Sequence, residues 1–132
     1  MTENNICFTD NPSIEDRMER YISVDVLTDK VLESWRHSLF SHEWLLPDGR
    51  IRSPEELSAA EGARCKGIEK RLEKGEALEK PVLGIGLMDN VEIGIGRHIF
   101  LTAAAKGLKT IPVHIPKGQS DEFVDFLPSS LP

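Results

Sequence analysis

The stretch from Val91 to Ile115 constrains what this chain can fold into more than any other. Val91, Ile93 and Ile95 alternate at the strand period, and Gly94 and Gly96 then let the backbone turn sharply into a helix that opens with Arg97 and His98. Ile99, Phe100 and Ala103 give that helix its buried side, Gly107 ends it, and a second strand is expected from Thr110 to Ile115. Free N–H groups at a helix start, glycines that let a ligand approach and two basic side chains are what a phosphate group needs. Gly94, Gly96, Arg97 and His98 are therefore the candidate phosphate-binding residues. A lone Gly-x-Gly more often marks a plain tight turn, so the spacing alone does not decide the matter.

The elements before this stretch follow from local signals. Pro81 to Ile95 reads as a hairpin turning at Asp89-Asn90; a two-residue loop would set Gly86 opposite Ile93, Gly84 opposite Ile95 and Ile85 opposite Gly94, small against large. Tyr21 to Leu27 alternates as a strand with Ile22, Val24 and Val26 on one face. Thr28 and Asp29 open a short helix through Val31, Leu32 and Trp35 that fades near Ser38, and Pro47-Asp48-Gly49 is a turn. Ser53-Pro54-Glu55-Glu56 carries an N-cap serine, a first-position proline and a capping-box glutamate, so a helix is expected to begin there. Its inner side would be Leu57, Ala60, Cys65, Ile68 and Leu72, with Glu61 and its charged neighbours in water; Gly62 and Gly67 inside it imply a break or a close approach. Residues 1–19 read as a loosely held arm, 20–116 as the domain, and 117–132 as a short helix from Ser120 through Phe123 and Phe126 with a tail.

Composition bounds the function. The 132 residues amount to one small domain, and a formal charge of -6 with a pI near 5.2 argues against a surface that blankets duplex DNA. Cys7 and Cys65 do not make a disulfide framework or a zinc knuckle, and no signal peptide or membrane-length apolar run is present, so a cytoplasmic home is expected. His37 and His42 are wrongly spaced for two ligands on one helix face, which leaves the identity of any metal unknown. His114, between Val113 and Ile115 on a strand, is expected to point to solvent, Cys65 to be a core thiol, and Trp35 and Trp44 to be core or lid residues.

Gly96-Arg97-His98, Ala103-Ala104 and then Gly107-Leu108-Lys109-Thr110-Ile111-Pro112-Val113 resemble, without a gap, the signature segment of the ParB/sulfiredoxin superfamily. Partition proteins carry G-E-R-R, alanines and G-L-K-x-[VI]-P in the same register; ParB-like plasmid and phage proteins carry G-R-H-R, and sulfiredoxins G-C-H-R. The resemblance spans roughly residues 20–116, with specific motif residues in about the last third. It implies an α+β domain in which a small mixed sheet with a β-hairpin packs against several helices. It also implies a nucleotide at the glycine turn: CTP as in the partition proteins, or ATP as in sulfiredoxins, with Mg2+ as the accompanying ion.

Two departures qualify what the resemblance implies. Arg97 stands where sulfiredoxins have their catalytic cysteine, which removes cysteine sulfinic acid reduction. Ile99 replaces the arginine that completes the phosphate grip in most relatives, so affinity would rest on Arg97, His98 and backbone N–H groups. Hydrolysis, as a nucleotidase, ATPase or nuclease, would need an acid and a base, for which Glu92 and His98 are the candidates. These residues show no helix-turn-helix or dimer domain of the partition ParB kind, so sequence-specific centromere binding is not expected of them. Two readings therefore stand: a phosphate-binding protein acting on nucleotide or DNA, or a non-catalytic member that binds a protein partner through the N-terminal arm or the Phe123–Phe126 tail.

Overall fold

The computed structural model describes residues 6–128. In chain order its elements are β1 (Phe8–Thr9), a 3₁₀ segment (Pro12–Arg20), β2 (Tyr21–Leu27), α1 (Thr28–Trp35), 3₁₀ turns at Leu39–Glu43 and Pro54–Glu56, α2 (Ala59–Glu73), β3 (Leu78–Glu79), β4 (Val82–Ile85), β5 (Val91–Ile95), α3 (Arg97–Ala105), β6 (Thr110–Pro116) and a 3₁₀ segment (Lys117–Phe126). It is a small α+β domain. Four strands form a mixed sheet in the order β2-β6-β4-β5, and β1 pairs with β3 in a small parallel sheet. No helix among the described residues is long and apolar enough to cross a membrane.

Period-two alternation on β2 and β6 fixes the centre of the sheet. Their antiparallel register sets Ile22 opposite Ile115, Val24 opposite Val113 and Val26 opposite Ile111, so six apolar side chains share the core face. Against that face lie Trp35 of α1 and Phe100 of α3. α3 buries Ile99, Phe100, Leu101, Thr102 and Ala103 in succession, more of its circumference than an amphipathic stripe requires, because it packs against α2 as well as the sheet.

The reverse face of the sheet is covered too, which overturns two expectations. Residues 6–19 are not a loose arm: β1 is paired with β3, and Ile14 and Asn11 are buried. Residues 1–5 of the arm lie outside the described residues. His114 does not face solvent but is 1 % exposed, beneath this segment. Its Nε2 accepts the Asn11 backbone N–H at 3.0 Å and its Nδ1 lies 3.3 Å from Ser23 Oγ, which also accepts from Lys80 Nζ at 3.1 Å. Alternation located the second face correctly, but only the tertiary fold shows what lies on it.

The hairpin register also differs from expectation. Gly86 N–H donates to the Asn90 carbonyl at 2.9 Å, Asp89 N–H donates to the Gly86 carbonyl at 3.0 Å, and Asp89 has a φ of 63°. The loop is thus the three residues Leu87-Met88-Asp89, with the aspartate in the left-handed position such loops need. Leu83 then pairs with Ile93, Gly84 with Glu92 and Ile85 with Val91, and a bulge brings Val82 opposite Ile95. The shift buries Leu83, Val91 and Ile93 together. Gly86 does lie beneath a large side chain, but it is Glu92 rather than an isoleucine: a Cβ there would come within 2.9 Å of Glu92 Cγ.

α2 begins later than its strongest local signal. The box at Ser53 forms, with Ser53 N–H donating to the Glu56 carboxylate at 2.8 Å, yet it starts a single 3₁₀ turn; extended backbone at Leu57 ends that turn, and Ser58 caps α2, its Oγ accepting from Glu61 N–H at 3.3 Å. Gly62 and Cys65 are its buried residues, Leu57, Ile68 and Leu72 are half-buried, and Ala60 is exposed. The Pro54 turn folds back over Gly62, where a Cβ would sit 2.4 Å from the Pro54 carbonyl oxygen. The final segment starts at Lys117 rather than Ser120 and is 3₁₀ throughout; Phe123 is fully buried and Phe126 packs on it edge-on.

Two measurements check this packing. Gly67, exposed and with open space where a Cβ would go, should gain about 0.5–1 kcal/mol as Gly67→Ala, whereas Gly62→Ala should lose about 1–3 kcal/mol in urea unfolding despite the same helical preference. Burial lowers the His114 pKa below its usual 6.5, with Lys80 adding to the effect and Asp10 opposing it. The unfolded chain then binds the proton more readily, so stability should fall as pH drops below about 6.5 and go on falling to the native pKa. The urea midpoint of His114→Gln should lack that share of the slope below pH 7.

Candidate functional site

Gly96 makes the turn into α3 by taking left-handed backbone, φ 82° and ψ 28°, which glycine adopts at no steric cost. Space requires glycine as well, since a Cβ would lie 3.0 Å from Pro81 Cα. Phe100 N–H donates to the Gly96 carbonyl at 2.9 Å, and the N–H groups ahead of it lie outside the ladder of the helix. Gly94, one position before the end of β5, is exposed.

Beside this turn is a cleft of about 600 Å³. Leu39 and Phe40 form one wall, Leu87 and Met88 of the hairpin loop the other, and Asn90, Glu92, Gly94 and Arg97 lie between them. Arg97 supplies its cation. The guanidinium donates from Nη2 to the Ile93 carbonyl at 3.3 Å and lies 5.2 Å from the Phe40 ring centroid and 5.8 Å from that of Trp35. Stacking between aromatic faces holds a guanidinium in place without neutralising it. Arg97 makes no ion pair among the described residues.

Glu92 is held on two sides. Ser38 Oγ donates to its Oε1 at 2.7 Å, and Asn90 Nδ2 donates to its Oε2 at 3.0 Å and to the Val91 carbonyl at 2.9 Å. Ser38 and Asn90 are themselves buried. Ser38 Oγ also accepts the Phe40 N–H at 3.1 Å, so one hydroxyl caps the Leu39–Glu43 turn and aims the carboxylate.

The structure separates the two candidates for acid–base chemistry. Glu92 lines the cleft with Gly94 and Arg97, but His98 does not. One helical step carries it round α3 toward α2, where its Nε2 contacts the Glu61 carboxylate and its ring meets Trp44 edge-on at 5.1 Å. Glu61, expected in water, is the partner of this histidine. Ile99 is buried and does not reach the cleft. Trp35 and Trp44 are core residues, and burial pushes the Cys65 thiol up from its ordinary range, with Glu61 and Glu69 adding to the shift. Among the described residues no three His, Cys, Asp or Glu side chains come together as a metal site.

Of the residues that line the cleft, Glu92, Gly94 and Arg97 are ones the sequence singles out as candidates, whereas Ser38, Asn90 and the two walls are not. Leu87-Met88 inside a turn and Leu39-Phe40 just after a helix are apolar pairs where polar residues are the rule, and that was the available signal. No family model matches this chain, and comparison with curated proteins and with solved structures gives no match.

Proposed function

We propose that this chain is a ParB/sulfiredoxin-like domain that binds a nucleotide in the cleft, with the phosphates against the Gly94–Gly96 turn and Arg97, and that it does so without hydrolysis. The observation that carries the reading is the place of Arg97: an unneutralised cation at the start of α3, opening onto a cleft with an aromatic wall. Its volume, about 600 Å³, falls in the range of small-molecule sites, about 300–1,000 Å³. Helix N–H groups and a guanidinium together suit phosphate oxygens, and Phe40, Leu87 and Met88 offer apolar surface to a base. ATP and CTP are the nucleotides to test, and Mg2+ would reach the site with the phosphates rather than through a protein cage.

Binding without turnover follows from His98. With the His98 imidazole engaged by Glu61 and Trp44 on the far side of the turn, the pairing of Glu92 with His98 that hydrolysis would use is not made, and the histidine that lines the cleft is His37, just before Ser38. A second reading, a protein-interaction module, is favoured by one feature: Leu39, Phe40, Leu87 and Met88 are all exposed and adjoin the same cleft. The contact surface it requires is here rather than at Phe123, which is buried.

Thermal-shift titration with ATP, CTP and GTP, with and without Mg2+, decides between them. Saturable stabilisation is expected for at least one nucleotide, about 2.7 kcal/mol at one hundred times its dissociation constant, and is expected to be lost in Arg97→Gln. The melting temperature of the unliganded variant shows separately what the stacking on Trp35 and Phe40 contributes. No shift with any nucleotide on the wild-type chain would remove this reading.

A further inference from the structure

Glu92 is more constrained than an exposed strand position requires. It makes no ion pair among the described residues, although the guanidinium of Arg97 lines the same cleft. Two buried side chains, Ser38 from the turn after α1 and Asn90 from the hairpin, each spend a hydrogen bond on one of its oxygens. A carboxylate has about four lone-pair positions, so each oxygen keeps one for a further donor. Asn90 also fixes where this carboxylate lies. Its Nδ2 is committed to Val91 and Glu92, which fixes the amide orientation, and its Oδ1 is buried without a partner.

The polar groups of the cleft are therefore sorted along its length. Arg97 and the helix start are donors and stand at one end. Glu92 lies two residues before Gly94 on the same face of β5, about 6–7 Å further along at strand spacing, and its carboxylate offers only acceptors. The walls between Phe40 and Leu87-Met88 are apolar. A ligand matched to these groups carries an anion, a pair of hydroxyl donors about 6–7 Å from it and a flat apolar group. A ribonucleotide carries all three in its phosphate, ribose diol and base.

We infer that Glu92, held by Ser38 and Asn90, is the specificity residue that accepts hydrogen bonds from the ribose hydroxyls, so that the cleft selects ribonucleotides over 2′-deoxyribonucleotides. The inference rests on the nucleotide reading above. An acidic side chain on the ribose hydroxyls is a recurrent solution in dinucleotide-binding folds, where it faces the same problem of a sugar fixed between a phosphate site and a base pocket. A 2′-deoxy-sugar keeps its 3′-hydroxyl but withholds the second donor while still covering the carboxylate, and an acceptor shielded from water and left unpaired is penalised.

Calorimetric titration of ATP and 2′-deoxyATP, and of CTP and 2′-deoxyCTP, into the wild-type chain and into Glu92→Gln and Ser38→Ala tests this. Wild type should prefer the ribo form by about tenfold or more, the size of one hydrogen bond to a charged group. Glu92→Gln should bring the two forms to within about threefold by weakening the ribo form, while Ser38→Ala, which leaves the carboxylate present but unaimed, should show an intermediate ratio. Equal affinity of wild type for ribo and deoxy forms overturns the inference and leaves nucleotide binding standing. An equal loss for both forms in Glu92→Gln also overturns it, since Glu92 would then contact something other than the 2′-hydroxyl that sets the two forms apart. No binding of any of the four nucleotides by wild type overturns both readings at once.

Discussion

The contact between Gly96 and Pro81 is the joint on which the architecture turns. Pro81 precedes β4, and its Cα occupies the space that a side chain at position 96 would need. Its carbonyl accepts the His114 N–H at 2.9 Å, which ties the same residue to the middle of β6. One proline thus fixes the exit of β5, the entry of α3 and the parallel pairing of β4 with β6 at Val82 and His114. The left-handed turn at Gly96 and this close approach together stand where α3 leaves the sheet and Arg97 begins the helix.

From that joint the two faces of the sheet diverge in character. The face under α1 and α3 is a dry core of isoleucine, valine and aromatic side chains. The other carries Ser23 and His114 in a paired position, closed by the backbone of Asn11 and the ammonium of Lys80. A buried imidazole that accepts a main-chain N–H must keep that nitrogen unprotonated, so the N-terminal segment is attached by an interaction sensitive to acid rather than by apolar burial alone. Asn11 does double duty here, because its side-chain oxygen caps the following 3₁₀ segment at Ser13 while its amide donates to the Lys80 carbonyl at 2.8 Å.

What the sequence disclosed was governed by the range of the interaction involved. β2, α1 and β6 were legible because alternation and helical spacing are set within a few residues, and Gly96 was legible because its turn is local. The start of α2 was misplaced because two capping signals, at Ser53 and Ser58, stand five residues apart and only the packing of Pro54 over Gly62 determines which one opens the long helix. The hairpin register was misplaced because Asp89 and Asn90 are both good turn residues, and burial of Val91 and Ile93 against Leu83 decides between loops of two and three residues. His98 was grouped with Arg97 by adjacency, yet neighbours on a helix point about 100° apart. Ser38 gave no signal at all, since its partner Glu92 is 54 residues away.

The C-terminal 3₁₀ segment carries a consequence of its own. β6 ends at Pro116, and the side chain of Gln119 then takes up the hydrogen-bonding line beside β4: its Oε1 accepts the Ile85 N–H at 2.9 Å and its Nε2 donates to the Ile85 carbonyl at 3.3 Å. An amide side chain here does what another length of strand would otherwise do. Without it the outer end of β4 would present a free edge next to the apolar tip of the hairpin, the combination through which copies of a protein add to one another as strands. One glutamine thus fills the stretch of β4 beyond its pairing with β6, beside a hairpin tip whose Leu87 and Met88 are exposed.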